Sequence, residues 1–591
     1  MSLALAAGLL EATLAIALRS YTPTRTWNML VADVTPDFVW AAPLTYAVLA
    51  ALSGTVMHVA FGLAARWSRL TKEHRASAAV LLLTALAVYP LIRVTDRLHW
   101  WAALLLAIGV AWRVLAALRG RLAPVFLYSR HAAPLLAALV AAIWALRSWP
   151  NPSAAHARVV SRADCTNVLL VVLDTCRADH LSAYGYARPT TPRLDALARQ
   201  GALFESAYAS SCWTPASHGT LFTSRWVREH GADGPRPQLA ARWPTLAEHL
   251  RAAGYATAAF IANSFWVTSR DGFDRGFEHF EDFTAADMIV RTVYGKVIVP
   301  HLPSIGLRGE FWRKNADDVN RSFLDWLDHQ SKRPFFAFLN YMDIHGPYVT
   351  PNEHHTLYMD DAQRETQSSL DFEPPVQGSA SSPRAAILAA AYDGALTYLD
   401  DRLGELFDSL QQRGILDNTL VIVTSDHGDA FGEHGLFRHG HSLSQELTHV
   451  PLIARLPGRI ESGQHYKRAT GLHDVAATIC AAVLPGRPHP FQGVSFLDGS
   501  DDQPSRPILQ EVARRPGVFP SWPVSRADGA GVYAAPWHLI EYGSDRVELY
   551  DTSTDPQERH NLATDDAGRE ILPRLDALID QMQDREQVVA N

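Results

Sequence analysis

The chain has 591 residues, more than a single hydrophobic core accommodates, so two or three units are expected. Its 61 acidic residues against 53 basic ones give a net charge of -8, and there is no basic face of the kind nucleic acid requires. Four cysteines (Cys165, Cys176, Cys212, Cys480) exclude a disulfide-built scaffold, and no CxxC pair points to a structural zinc.

Five apolar stretches, roughly residues 2–18, 38–64, 77–92, 99–118 and 132–148, fill the first 150 residues. Each approaches the ~20 residues that a bilayer-spanning helix needs. Glu11 and Arg113 interrupt two of them, but an acid can face the bundle and a long side chain can snorkel. The first stretch lacks a basic leader and a small-residue cleavage site, so it reads as an uncleaved helix. Arg66, Arg69, Lys72, Arg75, Arg119, Arg121 and Arg130 lie in the second and fourth loops, against Arg19, Arg25, Arg93 and Arg97 in the first and third. This bias makes the second and fourth loops cytoplasmic. An odd number of spans then places the rest of the chain outside. The expectation is an integral, multi-pass membrane domain over residues 1–150, a Pro-containing linker over 151–165, and a periplasmic or extracellular catalytic domain.

From Asn167 onward short apolar runs alternate with helical patterns. Val168–Leu173 is a continuous apolar run ending at Asp174, as in a strand buried on both faces. Thr191 and Pro192 open a helix through Ala198 that Gly201 stops. Thr257–Ala262 and Phe335–Leu339 are further strands, and residues 285–380 hold longer irregular stretches expected to act as lids. Leu396, Leu399, Leu403, Leu406 and Leu410 share one helical face, which Gly414 ends; Leu420–Val423 is the next strand. Alternation of this kind predicts an α/β domain with a mostly parallel sheet between helices, over 166–485, and a smaller subdomain over 486–591.

Ligands of such sheets bind at the carboxyl ends of the strands. Asp174 stands at one such end, and Asp426 and His427 at another, followed by Glu433, His434, Arg438, His439 and His441. An isolated Asp there is commonly a turn or cap. Acids beside imidazoles at two converging strand ends need solvent or a cation between them. A mixed oxygen and nitrogen set suits zinc or manganese better than an all-oxygen calcium cage. Thr214 precedes Pro215 at the start of a helix, where a hydroxyl faces free amides and the positive end of the dipole. A plain N-cap is the alternative reading.

Five ordered segments carry a resemblance: Asn-Val-Leu-Leu-Val-Val-Leu-Asp-Thr (167–175), Trp-Thr-Pro-Ala-Ser-His (213–218), Asn-Tyr-Met-Asp-Ile-His-Gly-Pro (340–347), Thr-Ser-Asp-His-Gly-Asp (424–429) and Glu-Leu-Tyr-Asp…Asp-Pro…Asn-Leu (548–562). Together they resemble the sulfatase branch of the alkaline phosphatase superfamily. A membrane portion ahead of such a domain looks like the lipoteichoic acid synthases and phosphoethanolamine transferases. The resemblance implies one divalent metal held by Asp174, Asp426, His427 and the Thr214 oxygen, with Thr214 as nucleophile. It implies that His345 contacts substrate and that Arg438 or His441 takes a basic position near the leaving group. Arg177 and His218 are further candidates for substrate contact, with pairing to Asp179 and helix capping as their structural alternatives.

The chain departs from the resemblance at informative places. Sulfatases that hydrolyse through formylglycine carry Cys or Ser in a Cys-x-Pro-Ser-Arg type motif, whereas this segment reads Thr-Pro-Ala-Ser-His. Threonine cannot become the aldehyde hydrate. Thr175 replaces a second Asp, His427 stands where many relatives have Asn, and the region around Asn263 takes the place of a Gly-Lys-Trp-His segment. The expected function is hydrolysis of a sulfate, phosphate or phosphonate ester of an envelope lipid or glycan. Transfer of a phospho-headgroup and a catalytically inactive binding relative are the alternatives. A Cys176–Cys212 disulfide behind the site and glycosylation at Asn320 in Asn-Arg-Ser are two further expectations.

Overall fold

The computed structural model describes residues 81, 100–117, 165–234, 237–282, 313–330, 333–348, 350, 354–367, 377–497, 505–516, 518–544 and 546–584. The chain divides into two compact units, Met1–Ala155 with Phe283–Trp312, and His156–Asp282 with Arg313–Asn591. In the first unit the described helix is Trp100–Ala117, along which Leu106, Ile108, Val110 and Trp112 are exposed. Among the described residues no helix is long and apolar enough to cross a membrane. Apart from Leu81, the other four expected spans lie outside the described residues, as does all of the linker but Cys165.

The second unit is built on eight strands: β1 (Asn167–Leu173), β2 (Ala202–Phe204), β3 (Ala256–Ile261), β4 (His279–Glu281), β5 (Phe335–Tyr341), β6 (Thr419–Thr424), β7 (Leu452–Arg455) and β8 (Gln464–Tyr466). Their order across the sheet is β8-β2-β7-β6-β1-β5-β3-β4. Only β7 runs against its neighbours; β1 pairs in parallel with β5 and β6, deep inside the sheet. A central parallel strand is covered on both faces, which is why Val168–Leu173 is apolar throughout and wholly buried.

Strand periodicity sends alternate residues to opposite layers. Leu169, Val171 and Leu173 pack with helices α1 (Pro192–Arg199), α3 (Ala316–His329) and α4 (Pro383–Gln412). Val168, Leu170 and Val172 pack with α2 (Thr214–Thr223) and α5 (Val475–Val483). Leu396, Leu399, Leu403, Leu406 and Leu410 of α4 are all buried, and Gly414, at φ 69°, turns the chain out of that helix. The stretch read as irregular contains α3 and β5, while 283–312 and 368–376, part of the expected lid, lie outside the described residues.

The C-terminal region forms a four-stranded antiparallel sheet, β9 (Ile508–Val512), β10 (Gly529–Ala534), β11 (Trp537–Tyr542) and β12 (Arg546–Asp551). Helix α6 (Asp566–Asp584) lays Leu575 and Ile579 on Leu509, Val532, Leu539 and Leu549. Two expectations are corrected. Cys176 and Cys212 are both buried free thiols, not a disulfide. Asn320 is no glycosylation acceptor surface: it is buried, donates to Arg402 O at 2.8 Å and accepts from the Tyr341 hydroxyl at 2.6 Å.

Candidate active site

Register brings the acids together. Val172 of β1 lies opposite Thr424 of β6, so the residues that follow, Asp174 on one strand and Asp426 and His427 on the other, emerge side by side. The carboxylate and imidazole ligand atoms of these three buried residues lie within 4.8 Å of one another. Thr214, the first residue of α2 and not the residue before it, puts its Oγ1 3.2 Å from His427 Nε2.

Each member is held from behind. Asp174 Oδ2 accepts from Asn263 Nδ2 at 2.7 Å. Asp426 Oδ1 accepts from the backbone N–H of Thr175 at 3.2 Å and from that of His427 at 3.0 Å. Thr175 reaches that position at φ 66°, a left-handed conformation costly for a β-branched residue, and donates its own hydroxyl to Ile344 O at 3.0 Å. Below it, the Tyr392 hydroxyl donates to Thr175 O at 3.0 Å and accepts from Arg177 N at 2.9 Å. His427 Nδ1 is 2.9 Å from Gly428 O, which makes it the protonated nitrogen and leaves the Nε2 lone pair facing Thr214 and Asp426.

Two oxygens in this cluster, Asp174 Oδ1 and Asp426 Oδ2, are buried without a hydrogen-bond partner. Burial and the adjacent Asp426 push Asp174 up to about 8, and burial pushes Asp426 up to about 7. Burial holds His427 below its usual value. Two neighbouring buried acids that resist ionisation, two orphaned oxygens and one free imidazole lone pair fit a divalent cation. The chemistry of the donors thus matches the metal that the sequence implies.

The flanking residues fall differently from expectation. His345 sits at the rim, with Nδ1 2.7 Å from Gly346 O and its ring 4.8 Å from that of His439. His439 is the residue that sequence reasoning left unassigned. Its ring lies 4.6 Å from His427, and its Nδ1 is 3.0 Å from Asp429 Oδ1. Asp429 in turn accepts from the Tyr348 hydroxyl. The second Asp of Thr-Ser-Asp-His-Gly-Asp was the available signal, since a carboxylate two residues beyond the paired ligands needs its own partner. Burial keeps His345 down at about 3 and His439 well below its usual value, so both are neutral in the free site.

His441 does not join them. Its two nitrogens meet the Ser442 hydroxyl at 2.9 Å and Arg438 O at 3.1 Å, and its ring packs 5.4 Å from Trp522. Arg438 stands at φ 74° on the two-residue strand Phe437–Arg438. His218 is wholly buried among Phe222, Phe273 and Phe338, gives Nδ1 to Thr214 O at 2.8 Å, which steadies the start of α2, and lies 3.6 Å from Asp426 Oδ2. Arg177 is a structural cation: it pairs with Asp179 and Glu433, both at 2.8 Å, and donates to Asp429 O at 3.0 Å. It lines a separate cleft of about 680 Å³ with Glu433, His434, Glu446 and Arg559.

Residues 166–483 match the sulfatase family. The chain belongs to that family. Residues 432–585 further match the C-terminal region of N-sulphoglucosamine sulphohydrolase, which takes in the β9–β12 sheet and α6. This sulfatase-family chain is 25% identical over 377 residues to an arylsulfatase of Clostridium perfringens, covering 56% of the chain and 78% of the relative. It is 25% identical over 455 residues to a choline-sulfatase of Rhizobium meliloti, covering 68% and 83%. Among solved structures it resembles the phosphonate monoester hydrolase of Agrobacterium radiobacter, with a TM-score of 0.56, 21% identity and coverage of 71% of this chain and 96% of the other. At that identity the likeness establishes the fold. The sulfatase-family chain is an enzyme of the sulfuric ester hydrolase type, and its family is metal-dependent.

Proposed function

We propose that this sulfatase-family enzyme hydrolyses a sulfate, phosphate or phosphonate ester of an envelope lipid or glycan by direct attack of Thr214, with its catalytic domain outside the cytoplasm. One observation carries the reading: Thr214 Oγ1 lies 3.2 Å from His427 Nε2, beside two buried carboxylates that each keep an oxygen without a partner. Asp174, Asp426, His427 and Thr214 would hold the metal, zinc or manganese by the mixed donor set, with calcium as the alternative. When bound, the ion supplies Lewis-acid stabilisation of the Thr214 oxygen and of a substrate oxygen.

The rest is done by the chain's own groups. Thr214 loses its proton to water, its oxygen forms a bond to phosphorus or sulfur, and the bond to the leaving oxygen breaks. The Asp429–His439 pair is built to deliver a proton to that oxygen: Asp429 orients the ring, and an anionic substrate beside it raises a pKa that burial holds low. His345 stands next to it and steadies the anion. Water then cleaves the Thr214 ester and restores the hydroxyl.

Transfer to a lipid or glycan hydroxyl is the second reading, with the same first half-reaction and a different acceptor. Membrane anchoring favours it, and the exposed Leu106, Ile108, Val110 and Trp112 support that anchoring. A panel of 4-nitrophenyl sulfate, 4-nitrophenyl phosphate and 4-nitrophenyl phenylphosphonate, with metal analysis of the full chain, tests the hydrolase. Thr214→Ala should abolish turnover with metal retained; surviving activity rules out the nucleophile. Intact mass after incubation with phospholipid distinguishes an adduct that only an acceptor alcohol discharges.

A further inference from the structure

The site as described is short of fixed positive charge. Thr-Pro-Ala-Ser-His ends in a buried neutral histidine, Arg177 is spent on Asp179 and Glu433, and the imidazoles at the rim are uncharged in the free site. Arg313 and Arg438 act on the rim histidines, and a further guanidinium reaches this region from the C-terminal part of the chain. Arg515, three residues after β9 ends at Val512, lies flat over the Trp213 ring at 3.8 Å from its centroid. Trp213 immediately precedes Thr214. The Trp266 ring also packs on Trp213, with 4.6 Å between centroids.

Arg515 is 8% exposed, and its one side-chain hydrogen bond among the described residues runs from Nη2 to Asp233 Oδ1 at 3.2 Å. Its Nε is buried with no partner, and so is the indole Nε1 of Trp213 on the stacked ring. Buried donors left unpaired cost free energy that a partner recovers. Both orphaned groups are donors, so only an acceptor satisfies them, and next to a guanidinium an anionic acceptor is favoured. The neighbouring backbone packs closely on the pair: at Gly440, φ 76°, a Cβ would stand 2.9 Å from Arg515 Nη1 and 3.2 Å from Trp213 Cε3, so only a glycine lets this turn approach them. Gly440 follows His439, so this cation borders the proton-delivering side of the site.

We propose that Arg515 and the Trp213 indole N–H form an oxyanion subsite that binds a second negatively charged group of the substrate, a carboxylate, sulfate or phosphate next to the reacting ester. This rests on the reading of Thr214 and its metal ligands as the reaction centre. The natural substrate is then a multiply anionic ester, and the charge that selects it comes from the C-terminal subdomain through Arg515. Asp233 pairs with Arg515 and accepts from Ala513 N at 2.7 Å, so it serves as the control for loss of the ion pair without loss of the guanidinium.

Calorimetric titration of the metal-loaded full chain with phenylphosphonate and with 4-phosphonobenzoate measures the discrimination without turnover. Wild type should bind 4-phosphonobenzoate at least ~10-fold more tightly, Arg515→Gln should erase that preference, and Arg515→Lys should keep part of it. Asp233→Asn breaks the same ion pair but leaves the guanidinium, and should retain the preference. Equal affinities in wild type, or a preference that survives Arg515→Gln or vanishes equally in Asp233→Asn, would overturn the subsite. Hydrolysis of 4-nitrophenyl phosphate is followed in parallel. A preserved preference without any turnover refutes the hydrolase reading and still supports the subsite.

Discussion

Removing the Asn263 side chain offers a quantitative test of how the metal ligands are held. In Asn263→Ala, Asp174 Oδ2 loses its 2.7 Å donor and Trp266 N loses the 3.2 Å acceptor Asn263 Oδ1. The backbone bond from Asn263 N to Asn340 Oδ1, 2.8 Å, is untouched, so the loop keeps one anchor. With metal bound, Asp174 is ionised, and a hydrogen bond to an ionised partner is worth about 1.5–3 kcal/mol. At about 1.4 kcal/mol per decade this corresponds to a 10- to 100-fold rise in metal Kd, the range expected for loss of a residue that orients a ligand. Without metal Asp174, pushed up to about 8, is mostly protonated at pH 7, and the same bond is then an ordinary one. The mutation should therefore weaken metal binding far more than it weakens the apo fold. Competition titration against a chelator gives Kd, and excess metal should restore turnover. An unchanged Kd, or activity that no metal concentration rescues, would refute the assignment of Asp174 as a ligand supported by Asn263.

Glu281 accepts from Lys314 Nζ at 2.7 Å and Ser322 Oγ at 2.9 Å, and these hydrogen bonds, with the one from His279, hold its pKa down at about 2. A carboxylate depressed in the fold contributes stability above the unfolded value near 4.5 and loses it as pH falls through 2, so Glu281→Gln should lower stability by about 1–2 kcal/mol at pH 7, screening included, and match wild type at the acid end of a pH series of denaturant melts. Tyr392→Phe strands the buried Arg177 N–H and Thr175 carbonyl; about 1–3 kcal/mol of stability should be lost, read as a lower Tm, with kcat falling because Thr175 N–H holds Asp426. At Gly428 a Cβ would lie 2.0 Å from Glu446 O, so Gly428→Ala should move His427 and abolish activity even where circular dichroism shows a folded chain. His439→Gln should cost turnover of esters with poor leaving groups far more than of 4-nitrophenyl esters, whereas equal losses would deny it the proton-delivery role.

Membership of an α/β, mostly parallel class was legible from the chain itself, because a strand buried on two faces must be apolar throughout and a helix must repeat every three to four residues. Val168–Leu173, the leucines of α4 and Gly414 obey those rules. The convergence of Asp174, Asp426 and His427 was legible for a related reason: a parallel sheet delivers its strand ends to one edge, so polar residues immediately after apolar runs converge, whereas Thr214 was marked by its place before Pro215 at a helix start. What lay beyond local pattern was the facing of side chains in irregular segments. His439 and His441 are two residues apart in a loop with no repeat, and only packing turned one toward His427 and the other toward Trp522. Arg177 and His218 carry the chemistry of substrate contacts, yet Glu433 and a cage of phenylalanines claim them. Arg515 stands 301 residues after Thr214, a difference of 515 and 214, and no spacing rule connects them. Strand and helix periods act over a few residues, whereas which cation fills a site is decided by which distant segment packs against it.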